Sequence, residues 1–169
     1  MRRVLAVAWL VWSLDVLSKR LAQRYLEGAA SKPLLGNFLK LSFSQNSGAA
    51  FSFIKNGSVL LATFALVAII VIAYWTPKIN SLPWGGVFGL VLGGTLGNLT
   101  DRIFRSGTGF FKGQVVDWIE LPHWPIFNLA DSAIVLAALM AIGLSFRNIA
   151  PISKPDGSDK DERGSDHNA

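Results

Sequence analysis

Two uncharged stretches of 22 residues, 56–77 and 79–100, stand back to back with only Lys78 between them. About 30 Å of hydrocarbon at 1.5 Å per residue requires roughly 20 mainly apolar residues, so each stretch is long enough to cross a bilayer as a helix. Pro77, Asn80, Ser81 and Pro83 surround Lys78 and make a tight polar turn, which sets the two spans antiparallel. Trp75 and Trp84 bracket that turn, where an interfacial aromatic belt would hold them. Composition agrees with this reading. Apolar residues make up 51% of the 169, charged residues 16%, and the mean hydropathy is +0.40. Such a chain buries its surface poorly in water and well in lipid.

Two further candidate spans carry charge. Residues 4–14 are apolar after Arg2 and Arg3, and the run of 11 is long enough only if its helix continues through Asp15. Asp15 and Lys19 form an i,i+4 pair with the acid first, which suits the end of such a helix. A cleaved signal peptide also fits Arg2-Arg3 and the apolar run, but Asp15 and Lys19 occupy the place of its cleavage site. The last candidate starts near Asn128 and ends at Arg147. The expectation is therefore a membrane all-α fold with a small β element. Its four-helix bundle has spans of about 4–21, 57–76, 82–103 and 128–146, within one domain of residues 1–148. Both termini then share one side. Seven Lys and Arg on that side face nine on the other, so the positive-inside rule does not orient the bundle.

Residues 22–56 and 104–127 lie together on the opposite face. In the first, Leu39, Leu41 and Phe43 alternate with polar residues as a half-buried strand, and Asn46-Ser47-Gly48 reads as a turn. In the second, Gly107, Gly109, Gly113, Pro122 and Pro125 exclude a helix, and residues 114–119 are the best strand. The two can pair into a small surface sheet. Residues 149–169 are rich in Asp, Lys, Ser and Gly and read as a disordered tail. In the third span Gly85, Gly89, Gly93 and Gly97 recur every four residues, a stripe that permits close helix packing in lipid.

Several chemistries are excluded outright. There is no cysteine, hence no thiol nucleophile, disulfide or thiolate metal site, and only His123 and His167 remain for a triad or a histidine metal site. No metal or cofactor is indicated. The net charge of +5 is broken up by apolar blocks, which argues for a membrane and against a nucleic-acid partner.

Ionisable groups near a bilayer are costly and are functional candidates by default. Outside the tail the acids are Asp15, Glu27, Asp101, Asp117, Glu120 and Asp131, and five of them fall near the water boundary on one face, with Glu27 in the loop beyond. Asn128 can cap the last helix with Asp131 at N3, so Asp131 is either a capping acid or more. Asp117 sits in Val-Val-Asp-Trp-Ile, either as a solvent-facing strand residue or as an acid with a task. A link of 13 residues, 118–130, joins their two elements, so both carboxylates can meet at the interface. Two carboxyls held close share one proton. The ionised one can then take a proton from water while the other polarises a carbonyl and protonates the leaving amine. The helix N-terminus favours Asp131 as the base, with Asp117 the acid. On the third span Asn98, Asp101 and Arg102 share the face of a helix end. Arg102 either orients a substrate or pairs with Asp101, and Asn46 either serves a turn or bonds an extended peptide.

Asp15-x-x-x-Lys19, Asn46-Ser-Gly-Ala-Ala-Phe51, Gly93-Gly-Thr-Leu-Gly-Asn98-Leu-Thr-Asp101-Arg102, Val115-Val-Asp117 and Phe127-Asn128-Leu-Ala-Asp131-Ser132-Ala133 together resemble the motifs of bacterial lipoprotein signal peptidase (signal peptidase II), in that family's order. The resemblance implies an aspartic endopeptidase of the bacterial inner membrane. Its termini are cytoplasmic, and a β-cradle and a short surface helix cover an extracytoplasmic active site. It implies that a prolipoprotein is cut before its diacylglyceryl-modified cysteine. Asp117 and Asp131 become the catalytic pair; Asn46, Asn98, Arg102 and Asn128 line the pocket for substrate and globomycin-like inhibitors; Asp15, Lys19 and Asp101 support them. It further implies a monomer whose other partners are membrane lipids. Gln45-Asn46-Ser47 departs from the usual aromatic-Asn-Thr, and residues 105–113 look like an insertion. The rival readings are a carboxylate-dependent proton or ion transporter, which the absence of acids from the middle of the second and third spans disfavours, and a non-catalytic membrane adaptor.

Overall fold

We describe the protein from a computed structural model, over residues 1–48, 57–105, 109 and 111–152. Four helices and a three-stranded sheet follow in the order α1 (Arg2–Leu26), β1 (Lys32–Leu35), β2 (Leu39–Asn46), α2 (Gly57–Trp75), α3 (Leu82–Phe104), β3 (Val115–Glu120) and α4 (Leu129–Phe146). A 3-10 turn, Thr76–Lys78, links α2 to α3.

With neither Gly nor Pro between Arg2 and Leu26, α1 runs unbroken for 25 residues. Its buried residues, Val4, Ala8, Asp15, Lys19, Ala22 and Leu26, recur at helical spacing on one face. Asp15 and Lys19 are thus part of the packed stripe and completely buried, where the sequence suggested a pair at a helix end. The opposite face of α1 exposes Leu5, Trp9, Leu10, Leu14, Leu17, Leu21 and Tyr25. An outward face of large apolar side chains is what lipid accommodates. α2 and α4 repeat it, with Phe64, Val67, Ile70, Val135, Leu139 and Ile142 turned outward. Among the described residues two helices are long and apolar enough to cross a membrane, Gly57–Lys78 and Leu129–Phe146. α3 is not one of them. Glycines dilute its hydropathy, and it is the central helix, packed on α1, α2 and α4.

The glycine stripe explains that centrality. A methyl group at Gly89 would lie 2.9 Å from the Val4 carbonyl oxygen, and at Gly93 2.7 Å from that of Ala8, so α1 and α3 touch backbone to backbone. Gly94, on the adjacent face, meets the Ala130 carbonyl of α4 at 2.5 Å in the same way. Trp12 adds one polar tie across the α1–α3 seam, its indole donating to Thr100 at 3.0 Å.

At one end of the bundle the α2–α3 turn, residue 1 and the end of α4 gather. Trp84 donates to the Ile149 carbonyl at 2.7 Å and the Ser81 amide to that of Pro151 at 3.3 Å. The segment after α4 is therefore anchored through Ile149 and Pro151; residues 153–169 of the expected tail lie outside the described residues. At the other end the sheet is antiparallel, ordered β1-β2-β3. Gly36, at φ +55°, makes the tight return between β1 and β2 that other residues adopt only with strain. Ser44 stands opposite Asp117, and a register shift separates that pairing from Leu41 opposite Ile119. Leu41 and Phe43 pack over Ala22, Leu26 and Val116 as their alternation predicts. Yet the most buried residue of β2 is Ser42, held by the side chains of Ser31 and Glu120. Among the described residues no surface helix accompanies the sheet. Residues 49–51 of the Asn46 motif and 106–108 and 110 of the expected insertion lie outside them.

Candidate active site

β3 and α4 are brought together by main-chain bonds. Ile119 and Phe127 exchange amide-to-carbonyl bonds of 2.8 and 3.0 Å, which folds the 13-residue link back on β3 and sets Asn128 beside Asp117. Asn128 caps α4 through a full capping box: it accepts from the Asp131 amide at 3.0 Å, and Asp131 accepts from the Asn128 amide at 3.3 Å. The capping role foreseen for Asp131 is real, but it occupies only one of the carboxylate's two oxygens. The other accepts from the Asn98 side chain at 2.7 Å.

Asp117 is not solvent-facing; it is 2% exposed. Its two oxygens accept from Asn46 at 3.0 Å and Asn128 at 2.6 Å. Burial pushes its carboxyl up to about 6, with the nearby Asp131 charge acting in the same direction and the two amides opposing. Asn128 therefore stands between the acids, its amide nitrogen on Asp117 and its amide oxygen on the Asp131 backbone.

Behind Asn98 lies a buried ion cluster. The Lys19 ammonium contacts Asp15 at 2.7 Å, Asp101 at 3.1 Å and the Asn98 amide oxygen at 2.9 Å. Asp15 also receives the Ala130 amide at 2.9 Å, and Asp101 receives the Val116 amide at 3.2 Å. The cluster thus pins the start of both site-bearing elements. Asp101 pairs with Lys19 and with Arg105, at 2.5 Å, not with Arg102, so the Asp101–Arg102 pairing weighed from sequence does not form. Arg102 is buried, donates to the Asn98 carbonyl at 3.3 Å, and keeps its Nε without a partner among the described residues.

Arg105 and Gln23, joined at 2.6 Å, were missed by the sequence reading. Arg105 is legible in hindsight, four residues after Asp101 on the same helix. Gln23 carries no local signal, since its role arises only when α1 crosses the end of α3.

A groove of about 420 Å³ opens onto this constellation. One wall is apolar, from Leu61, Phe64, Ala65 and Ala68 of α2; the other is polar, from Asn46, Asn98, Arg102 and Asp131. The uniform hydrophobicity of α2 hid which of its faces would line a site.

The architecture is that of a helical-bundle membrane protein with a surface sheet over a polar site. Two solved bacterial membrane enzymes share it, with TM-scores of 0.77 and 0.74 at 23% and 21% identity; the matches cover 88% and 92% of this chain and 95% and 94% of theirs. The sequence relationship is narrower. A signal peptidase (SPase) II profile matches residues 7–147. The chain is 44% identical to a lipoprotein signal peptidase of Streptomyces coelicolor over 86% of its length and 71% of that protein's. It is 42% identical to one of Streptomyces griseus, covering 88% and 75%, and 36% identical to one of Mycobacterium avium, covering 86% and 79%. This chain belongs to the signal peptidase II family.

Proposed function

We propose that this chain is an intramembrane aspartic endopeptidase that removes signal peptides from prolipoproteins, cutting before the diacylglyceryl-modified cysteine. The observation that carries the reading is the pair Asp117 and Asp131, linked through Asn128, beside a groove with one apolar and one polar wall. A lipid-modified substrate has the same two-sided character. Its acyl chains suit the α2 wall, and its peptide backbone suits the amides and guanidinium opposite.

The chemistry follows from the environments. Asp117 is buried and raised, so it carries the proton and acts as the acid; Asp131, at the N-terminus of α4, acts as the base. Asp131 removes a proton from water as the oxygen attacks the scissile carbonyl, which Asp117 polarises. Asp117 then passes its proton to the departing amine. In this reading the four helices cross a bacterial inner membrane with spans of about 4–21, 57–76, 82–103 and 128–146. Both termini are then cytoplasmic and the sheet extracytoplasmic. A substrate anchored by its lipid presents its peptide bond at the boundary where water is available.

The test is purified protein in detergent with a fluorogenic diacylglyceryl-modified peptide. Wild type should cleave it, while Asp117→Asn and Asp131→Asn should each lose at least ~10³-fold in kcat. Cleavage retained by both variants would refute the reading. Ion flux without cleavage would favour a transporter.

A further inference from the structure

We infer that Lys19 is a positioning residue for the peptidase reaction: it fixes which way the Asn98 amide faces, and so keeps a hydrogen-bond donor on Asp131. The inference rests on the aspartyl reading and adds a function for the buried charge behind it.

A side-chain amide can turn over, exchanging its oxygen for its nitrogen, unless its neighbours decide between the two. Here they do. The Lys19 ammonium can only donate, and it lies 2.9 Å from Asn98 Oδ1. Asn128 Nδ2, also a donor, lies 3.2 Å from the same oxygen. Two donors on one side leave the Asn98 NH2 facing Asp131, 2.7 Å away. Asn128 gives one NH2 hydrogen to Asp117 at 2.6 Å and the other to Asn98 over the longer 3.2 Å, so the ammonium is the shorter and charged of the two donors on that oxygen. Lys19 in turn cannot move, being completely buried between Asp15 on its own helix and Asp101 on α3, the latter backed by Arg105.

The chain of bonds therefore runs one way, from Lys19 through Asn98 to Asp131. The Asn98 donor holds the Asp131 Oδ1 in one place while its other oxygen is held by the Asn128 amide. Asp131 also faces Arg102 from α3 and Asp117 from β3. Neither distinguishes the two orientations of the amide; Lys19 does. Without the ammonium, only the longer contact from Asn128 holds the Asn98 oxygen away from Asp131, and in the molecules where the amide turns over the base is met by an acceptor.

The experiment is the pH–rate profile of purified protein in detergent with the same lipidated peptide. Lys19→Met removes the donor but strands two buried carboxylates, so Asp15→Asn/Lys19→Met is made beside it. That pair leaves the local charge balance unchanged and can retain the bond to the Ala130 amide. The expected result is a ~10–100-fold lower kcat with KM within about twofold, and an acidic limb moved up by about one pH unit. In an Asn98→Ala background the same Lys19 change should move the limb no further, because its route is gone. In the wild-type protein the Asn98 side-chain ¹⁵N resonance, assigned by its loss in Asn98→Ala, should titrate with pH and cease to do so in Asp131→Asn.

A folded double variant with an unmoved limb overturns the inference, as does a shift that persists without Asn98. So does an Asn98 resonance indifferent to Asp131. If Asp117→Asn and Asp131→Asn still cleave, it is the aspartyl reading that fails. If they are inactive while the Lys19 variants match wild type, only the positioning role does.

Discussion

Asp117 is held in its folded place against its own charge. Its carboxyl is raised to about 6, so the folded protein binds this proton more tightly than the unfolded chain does. The ionised form therefore costs stability above pH 6, on the order of 3 kcal/mol, and the cost disappears as pH falls through 6 towards the ordinary carboxylate range. Asp117→Asn cannot ionise. Its melting temperature should exceed that of wild type most at pH 7–8 and converge with it near pH 4, as read by thermal unfolding in detergent. Crowding of the new amide by Asn46 and Asn128 would lower the variant equally at both ends, so the quantity to read is the change in the variant-minus-wild-type difference between pH 4 and pH 8. The same group sets a limit on catalysis. Since Asp117 must carry the proton, kcat/KM should fall as pH rises through about 6, and a profile still rising there would contradict its role as the acid.

At the scale of elements, α3 positions the site by proximity. The stripe recognised in sequence as a packing device also reaches the active-site support, because a methyl group at Gly97 would strike the Asp15 carboxylate and lie 3.3 Å from Ala130 Cβ. Gly97→Ala should therefore lose activity out of proportion to its stability, by displacing the Asp15–Lys19 pair. Gly93→Ala meets backbone oxygen and Val11 at 2.7 Å, so it should destabilise the α1–α3 seam by roughly 1–3 kcal/mol. Gly143 has open space around it, and Gly143→Ala should be neutral or stabilising by about 0.5–1 kcal/mol through helix propensity. Thermal unfolding with residual activity at each step separates the three. A Gly93→Ala variant as stable as Gly143→Ala would show that the helices do not touch as described.

The whole molecule carries large apolar side chains on its outside and buries a charged cluster, Asp15, Lys19, Asp101 and Arg102, beside its apolar core. The proposed four crossings make a prediction that the absence of cysteine renders simple to read. Single cysteines at the exposed positions Glu27 and Pro122 should react with a membrane-impermeant thiol reagent from outside intact spheroplasts. Cysteines at Lys78 and Arg147 should react only after lysis. Any other division would change the number or direction of the crossings.

Much of this was present in the order of residues. Periodicity is a local property, so β2, β3, the helix expected at about 57–76, the glycine stripe and the cap at Asn128 could be read from short windows, whereas β1, four residues beginning Lys-Pro, offers no alternation to read. The chemistry left to a chain without cysteine and with two histidines could be read likewise. What sequence could not decide was which polar groups face which. Asp15 and Lys19 look like a helix-end pair until α3 and α4 close over them, and Arg102 looks like the partner of Asp101 until Lys19 and Arg105 take that place. Direction within a hydrogen-bond network depends on donors from four separate elements meeting at one point. Only the packed bundle brings them there.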